Sequence, residues 1–176
     1  MKIKDLTLCA LFAALMAVCA WITIPMPGVP FTMQTFALFL TLSILGGMRG
    51  SIVCVVYLLL GAVGLPVFSG FRGGMGVLLG VTGGYIWGFL ATALIYWYVT
   101  RVFGNAFRVQ ILAMVLGLIA CYALGSGWFM LVYLKGAKSI TLWAVLTKCV
   151  IPFILPDLAK LSLALVLGKR LQPMLR

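Results

Sequence analysis

The sequence is nearly empty of acidic residues and contains no histidine. Of its 176 residues only two are acidic, Asp5 and Asp157, and none is His. Histidine is the commonest acid–base catalyst and a frequent metal ligand, and a lone carboxylate cannot form a catalytic carboxylate pair. The P-loop pattern G-x-x-x-x-G-K-[ST] is also missing. These absences exclude enzymatic hydrolysis and self-powered pumping, so we expect a protein that is not an enzyme, with no metal and no cofactor.

Cysteine is present in an odd number and in no C-x-x-C pattern. All five cysteines lie in or beside apolar runs, where free Cys behaves as a small hydrophobic residue. They are Cys9, Cys19, Cys54, Cys121 and Cys149. We interpret all five as packing residues.

Charge of either sign is scarce, and apolar residues fill the chain. Hydrophobic residues make up 65% and charged residues 9%, against about 45–50% and about 25% in soluble domains. A single core cannot hide so many apolar side chains, so the sequence predicts an integral membrane protein. The start, MKIKDLTLCALFAALMAVCA, could be a signal peptide. We favour a first transmembrane helix, because everything downstream is also apolar.

Six apolar segments are long enough, or nearly long enough, to cross a bilayer, which takes about 20 residues. They are approximately 5–24, 33–48, 50–64, 82–103, 108–133 and 150–170. The breaks between them are rich in Gly, Pro or charge, such as PMPGVP after the first segment and GGMRGS between the second and the third. The second and third segments are short for membrane-spanning helices. We predict a single all-α transmembrane domain over residues 1–176, a six-helix bundle. Residues 139–149 could add a short helix at the membrane surface.

The net charge of +11 does not indicate nucleic acid, because the cations are scattered between apolar runs rather than gathered in a stripe. Short cytoplasmic loops collect Lys and Arg, and six spans place both termini on one side. Cytoplasmic termini put eight cations inside: Lys2, Lys4, Arg49, Arg101, Arg108, Lys169, Arg170 and Arg176. They put four outside: Arg72, Lys135, Lys138 and Lys148. We therefore predict cytoplasmic termini, and attraction of an anionic substrate could explain the outer cations.

The last apolar segment carries both an acid and a base. Asp157 and Lys160 are three residues apart, so on a helix they share a face. Each costs about 2.5–3.5 kcal/mol at the centre of a membrane helix. A structural ion pair is one interpretation; we favour a binding site, because intramembrane ionisable residues usually serve function. Pro152 and Pro156 closely precede the acid, and together they predict a helix that begins at LPDLAK, with Asp157 in its first turn.

A glycine-rich stretch, GLPVFSGFRGGMGVLLGVTGGY, covers residues 64–85. Glycine lets the backbone approach a ligand closely. Phe68, Phe71 and Tyr85 could wall a small flat ligand, and Arg72 could pair with a carboxylate. A flexible outer loop is an equally good interpretation of the spacing alone.

Thr32 and Gln34 are hydrogen-bonding residues at the outer end of the second segment. Thr32 after Pro30 also suits a helix cap, which is the simpler interpretation for that residue. Gln34 is less easily explained in this way, and both are candidates for a binding site.

The first segment carries small residues at four-residue spacing. Such pairs allow another membrane helix to approach closely. The residues are Ala10, Ala13, Ala14 and Ala17. Packing within the bundle explains them at least as well as a partner protein.

Several motifs together resemble the BioY family, the biotin-binding S components of energy-coupling factor (ECF) transporters. They are V-P-F-T-M-Q-T, G-L-P-V-F, T-G-G-Y-I-W-G-F and P-D-L-A-K, which occur in order over nearly the whole chain. T-G-G-Y and P-D-x-x-K together are specific. Val81 departs from the family, which usually has Pro before T-G-G-Y. The departure affects the conformation of that loop but removes no group that could contact a ligand.

The resemblance implies a substrate-binding subunit in the bacterial cytoplasmic membrane, with a high-affinity biotin site open to the outside under a gating first loop. It implies a coupling transmembrane subunit and two ATPase subunits as partners, with the alanines of the first helix at the coupling subunit, although some members function alone. It adds site residues from the glycine-rich stretch: Gly73, Gly74, Thr82, Gly83 and Gly84. Biotin would be the transported substrate and not a cofactor.

The chemistry of biotin matches the candidate residues. Its ureido ring offers two N–H donors and one carbonyl acceptor, and its side chain ends in a carboxylate. Asp157 is the natural acceptor for the ureido N–H groups. Lys160 could donate to the ureido oxygen or pair with the carboxylate, for which Arg72 is the other candidate. Aromatic side chains could pack against the rings.

Two other classes fit parts of the sequence. An ion- or proton-coupled carrier would use Asp157 as its coupling group, but it calls for an inverted repeat, and none is visible. An assembly subunit without a ligand would use Asp157 and Lys160 as a structural pair.

Overall fold

The computed structural model describes residues 3–26, 28–135 and 141–175. Lys2, Lys138 and Arg176, which were counted among the inner and outer cations above, lie outside the described residues. Within the described residues the chain forms seven helices and two short strands. In chain order they are α1 Ile3–Trp21, β1 Thr23–Ile24, β2 Phe31–Thr32, α2 Gln34–Ala62, α3 Met75–Leu78, α4 Gly83–Phe103, α5 Phe107–Lys135, α6 Leu142–Cys149 and α7 Ile151–Leu175.

Helix α2 is a hairpin of two helical arms. The backbone leaves helical geometry at Gly46, where φ is 78° and ψ is 175°. Gln34 Nε2 donates a hydrogen bond to Tyr57 Oη at 2.6 Å, although a straight helix would separate these residues by about 35 Å. The chain therefore reverses at the predicted GGMRGS break.

Five helical stretches of the described chain are long and apolar enough to cross a membrane. Since one of them is the α2 hairpin, six helical segments form the bundle, and the predicted all-α membrane fold is confirmed. The α2 arms, residues 34–45 and 47–62, extend about 18 and 24 Å, less than the bilayer core of about 30 Å. Hairpin α2 contacts α1, α4 and α7, and α5 packs along α4.

Non-helical and short helical elements cover one end of the bundle. Strands β1 and β2 pair antiparallel, with Thr23 opposite Thr32 and Ile24 opposite Phe31. Residues 63–82, including α3, cross the same end, and α6 falls within the stretch 139–149, for which a short surface helix was one possibility. Irregular backbone at membrane depth is tolerated where protein buries it or a cavity solvates it.

Helix α7 begins earlier than LPDLAK suggests. It starts at Ile151, with Pro152 in its first turn and Pro156 inside the helix. Asp157 is therefore the seventh residue, and the prediction that it lies in the first turn is wrong. Pro156 does not mark a helix start, because an interior proline is tolerated where neighbouring groups in a membrane bundle satisfy the freed backbone.

Candidate functional site

Asp157 and Lys160 form a buried ion pair at the covered end of the bundle. Lys160 Nζ lies 2.9 Å from Asp157 Oδ1, and the two residues are 3% and 6% exposed. Thr35 Oγ1 donates to Asp157 Oδ1 at 2.8 Å, and Tyr122 Oη donates to Oδ2 at 2.6 Å. The carboxylate is thus held by α2, α5 and α7 together, which offsets the cost of burying its charge.

The ammonium of Lys160 has a hydrogen-bond acceptor for each of its three protons. Besides Asp157, it donates to the Thr32 carbonyl oxygen at 2.7 Å and to Thr35 Oγ1 at 3.1 Å. Its Nζ also lies 3.9 Å from the centre of the Phe31 ring, a cation–π contact. Lys160 therefore ties α7 to the entry of α2.

A cavity of about 690 Å³, counting the open space at its mouth, lies beside this pair. Its wall combines apolar and aromatic side chains with a few polar groups, as small-molecule sites do. The lining residues are Val29, Pro30, Thr32, Gln34, Thr35, Phe68, Ser69, Arg72, Val77, Thr82, Tyr85, Ile86, Phe89, Cys121, Tyr122, Cys149, Phe153, Asp157 and Lys160.

Hydrogen bonds fix the polar side chains of the α2 wall. Thr32 Oγ1 donates to Gln34 Oε1 at 2.9 Å and accepts from the Gln34 backbone N–H at 3.3 Å. Tyr57 Oη accepts from Gln34 Nε2 and donates to the Val67 carbonyl oxygen at 2.8 Å. Thr32 lies in β2 and not at the N-cap position, which is Met33, but its hydroxyl still satisfies a backbone donor of the first turn.

Arg72 lies at the exposed side of the cavity. Its Nε donates to the Ser69 carbonyl oxygen at 3.2 Å, which leaves the rest of the guanidinium available to an anion at the mouth. Among the described residues, no acid pairs with Arg72.

The cavity brings together eight of the predicted site residues. They are Thr32, Gln34, Phe68, Arg72, Thr82, Tyr85, Asp157 and Lys160. Phe71 is not in the lining; it is 64% exposed and stacks on Trp21 with ring centres 5.0 Å apart.

The predicted glycines stand behind the lining rather than in it. A Cβ at Gly73 or Gly83 would collide with the carbonyl oxygen of Leu65 or Leu78, and a Cβ at Gly84 with the side chain of Trp128. Gly74 has φ of 93°, and its N–H donates to the Gly61 carbonyl oxygen at 2.7 Å. These glycines allow close packing and a turn that position the cavity wall.

Sequence reasoning missed Thr35 and Tyr122, both of which bond directly to Asp157. Thr35 adjoins Gln34 and could have been included with it. Tyr122 lies in a predominantly apolar helix, 35 residues before Asp157 in the chain. Its hydroxyl, one of the few polar groups in the middle of that helix, was the only feature of the sequence that could have indicated it.

The four alanines of α1 divide between two faces. Ala13 and Ala17 are 2% and 6% exposed and pack into the bundle, whereas Ala10 and Ala14 are exposed. Internal packing thus explains one small-residue pair and leaves the other on the outer surface.

The fold and the cavity define a multi-pass membrane protein with a cavity suited to a small molecule near one end of a helical bundle. The sequence model of the BioY family matches residues 1–176. The chain belongs to the BioY family.

Relatives and a solved structure agree with this assignment. The biotin transporter BioY of Thermotoga maritima is 37% identical over 169 residues, covering 96% of each chain. The probable biotin transporter BioY of Pyrococcus horikoshii is 37% identical over 172 residues, covering 98% of each. The fold matches a crystal structure, at 2.1 Å, of the S-component for biotin from an ECF-type ABC transporter, with a TM-score of 0.83, 25% identity and coverage of 98% of this chain and 92% of that one.

Proposed function

We propose that this protein is a biotin-uptake protein, the high-affinity substrate-binding S component of an ECF-type importer. The observation that carries the proposal is Asp157, a buried carboxylate held by Thr35, Tyr122 and Lys160 at the edge of the cavity. A carboxylate accepts hydrogen bonds only, so it suits the ureido N–H groups of biotin. The protein performs transport and not catalysis.

The two ends of biotin fit opposite parts of the cavity in this proposal. The ureido ring lies against Asp157, and the valerate carboxylate points to the mouth and pairs with Arg72. Lys160 is the weaker candidate for the carboxylate, because its three protons already have acceptors within the protein. Phe68 and Tyr85 flank the rings between these ends.

Equilibrium binding of labelled biotin to the purified chain tests the substrate. We expect tight binding that unlabelled biotin displaces and that excess thiamine or riboflavin does not. Asp157→Asn should weaken binding sharply, because its amide nitrogen donates where an acceptor is needed. An unchanged affinity in this variant would refute the role of Asp157.

The role of Arg72 is tested by comparing biotin with its methyl ester. Esterification of the ligand and substitution of Arg72 should each remove the same ion pair, the one between Arg72 and the valerate carboxylate. We therefore expect Arg72→Gln to weaken biotin binding about tenfold, or ~1.4 kcal/mol, and to leave the affinity for the ester nearly unchanged. An equal loss for both ligands would assign the carboxylate to another group.

We also propose that Ala10 and Ala14 meet the coupling transmembrane subunit, which works with two ATPase subunits. The exposed Ala10–Ala14 pair lets a partner helix approach the backbone of α1 closely. Co-purification with the coupling subunit tests this surface. Ala14→Leu should abolish the association and keep biotin binding, whereas Ala123→Leu, at an exposed position of α5, should retain both. Full association of Ala14→Leu would remove α1 from the interface.

We propose that the protein lies in the bacterial cytoplasmic membrane with both termini in the cytoplasm. Among the residues that the structure describes, the exposed Lys and Arg side chains lie at the two ends of the bundle. Lys4, Arg49, Arg101, Arg108, Lys169 and Arg170 lie at the end away from the cavity. Arg72 and Lys148 lie at the cavity end, where α5 also ends at Lys135. The richer end is then cytoplasmic by the positive-inside rule, and the cavity faces outward.

A further inference from the structure

Four basic side chains form an exposed surface at the end of the bundle opposite the cavity. Arg101 is in the last turn of α4, and Arg108 is the second residue of α5, after a connection of only three residues, 104–106. Lys169 Nζ lies 5.8 Å from the centre of the Phe107 ring, which joins α7 to the start of α5. Arg170 follows. We call these four residues the basic surface.

In the described part of the chain, neither acidic side chain forms an ion pair with the basic surface. The whole sequence has two acidic residues. Asp5 pairs with Arg49 at 3.0 Å, and Asp157 pairs with Lys160 near the cavity. No side-chain carboxylate among the described residues compensates these four cations, so an external anion would lower their electrostatic free energy.

Exposed apolar side chains border the basic surface on the side that faces lipid. Val102, Phe103 and Phe107 are exposed between Arg101 and Arg108, and Val166 is exposed one turn before Lys169 and Arg170. A ligand with an anionic head next to an apolar tail fits both parts of this surface.

We propose that the basic surface binds the headgroup of an anionic phospholipid whose acyl chains lie along α4, α5 and α7. Basic residues at the ends of neighbouring transmembrane helices are suited to such headgroups. A soluble anion would contact the charges alone, whereas a phospholipid would contact both the charges and the apolar surface that α4, α5 and α7 present to the bilayer. An acidic protein would pair with the basic side chains but would not account for their position at the edge of the bilayer.

Native mass spectrometry of the purified protein, loaded from micelles with equal phosphatidylglycerol and phosphatidylcholine, tests the proposal. We expect the wild type to retain phosphatidylglycerol preferentially. Arg108→Gln and Lys169→Gln should each weaken that retention by about fivefold, and Arg108→Lys should largely preserve it. Lys148→Gln, which removes an exposed cation at the cavity end, should have no effect. Thermal unfolding of each variant in detergent confirms that it is folded.

Three results would overturn the proposal. Equal retention of both lipids by the wild type would show that the basic surface does not recognise an anionic headgroup. Unchanged retention in both Arg108→Gln and Lys169→Gln would place the lipid elsewhere. Equal thermal stabilisation by inorganic phosphate and by phosphatidylglycerol would show that the surface selects charge without the lipid.

Discussion

At the residue scale, the site depends on how one carboxylate is held. Asp157 accepts from Thr35 and Lys160 on one oxygen and from Tyr122 on the other. Hydrogen bonds to a charged group contribute about 1.5–3 kcal/mol. Loss of one donor should therefore affect both the stability of the bundle and the orientation of the carboxylate that we propose as the acceptor for the ligand.

We predict that Tyr122→Phe weakens biotin binding by about tenfold, or ~1.4 kcal/mol, and lowers thermal stability, because Asp157 Oδ2 loses its donor. Tyr98→Phe is the matched control, since Tyr98 is exposed on α4 and should change neither. Titration calorimetry and thermal unfolding measure the two effects. If Tyr122→Phe bound biotin like the wild type, the Tyr122–Asp157 bond would be dispensable for recognition.

The residues of the site could be predicted only in part. Asp157 and Lys160 were visible because charge is costly in an apolar segment, and Arg72 because it follows glycines and aromatics. Tyr122 was not visible, because only the packing of α5 near α7 brings it to Asp157. Phe71 looked like Phe68 in sequence, yet one ring points to Trp21 and the other into the cavity, a difference that the backbone of the 64–74 turn decides.

At the scale of elements, close helix packing depends on particular glycines of α5. A Cβ at Gly117 would lie 2.6 Å from Thr92 Cγ2 and 3.1 Å from Thr92 Cα on α4, whereas a Cβ at Gly127 would meet nothing within 4 Å. The same substitution should therefore have opposite consequences at two positions of one helix.

We predict that Gly117→Ala destabilises the protein by about 1–3 kcal/mol through overpacking. Gly127→Ala should be neutral or should stabilise it by up to about 1 kcal/mol, because alanine restricts the unfolded chain. Unfolding in mixed micelles compares the two. A similar loss in both variants would point to helix propensity or lipid contact instead of the α4–α5 interface.

The reversal within α2 also depends on a single glycine. Gly46 has φ of 78°, and a Cβ at this position would meet no atom within 4 Å. Gly46→Ala would therefore be strained by its backbone alone, at about 1–3 kcal/mol. Gly76→Ala has equal space without a positive φ and should be tolerated. Thermal unfolding distinguishes them, and equal stability would show that the turn adopts another backbone path.

Sequence patterns predicted the elements better than their ends. The glycine-rich break at GGMRGS and the apolar runs indicated the helices, because both follow from local chemistry. The start of α7 was misplaced, because proline is compatible with either the first turn or a satisfied interior position. The two-residue strands gave no periodic signal, since pairing across PMPGVP depends on the helices that flank it.

At the scale of the whole molecule, the proposed orientation predicts which loops meet which solution. Asn105 and Thr141 are exposed at opposite ends. In a chain freed of its five native cysteines, we expect Thr141→Cys to react with a membrane-impermeant maleimide in intact cells. Asn105→Cys should react only after permeabilisation. The reverse pattern would invert the topology and turn the cavity toward the cytoplasm.

The hydrogen-bonded support of Asp157 has a consequence for the timing of capture. Thr35, Tyr122 and Lys160 orient the carboxylate before any ligand arrives. Binding therefore does not require a rearrangement of the Asp157 side chain. The slow step of association would then be passage through the mouth formed by the strand pair and the glycine-rich turn. Substitutions at the mouth should change how quickly biotin enters and leaves by similar factors, while those around Asp157 should mainly shorten the time that it stays.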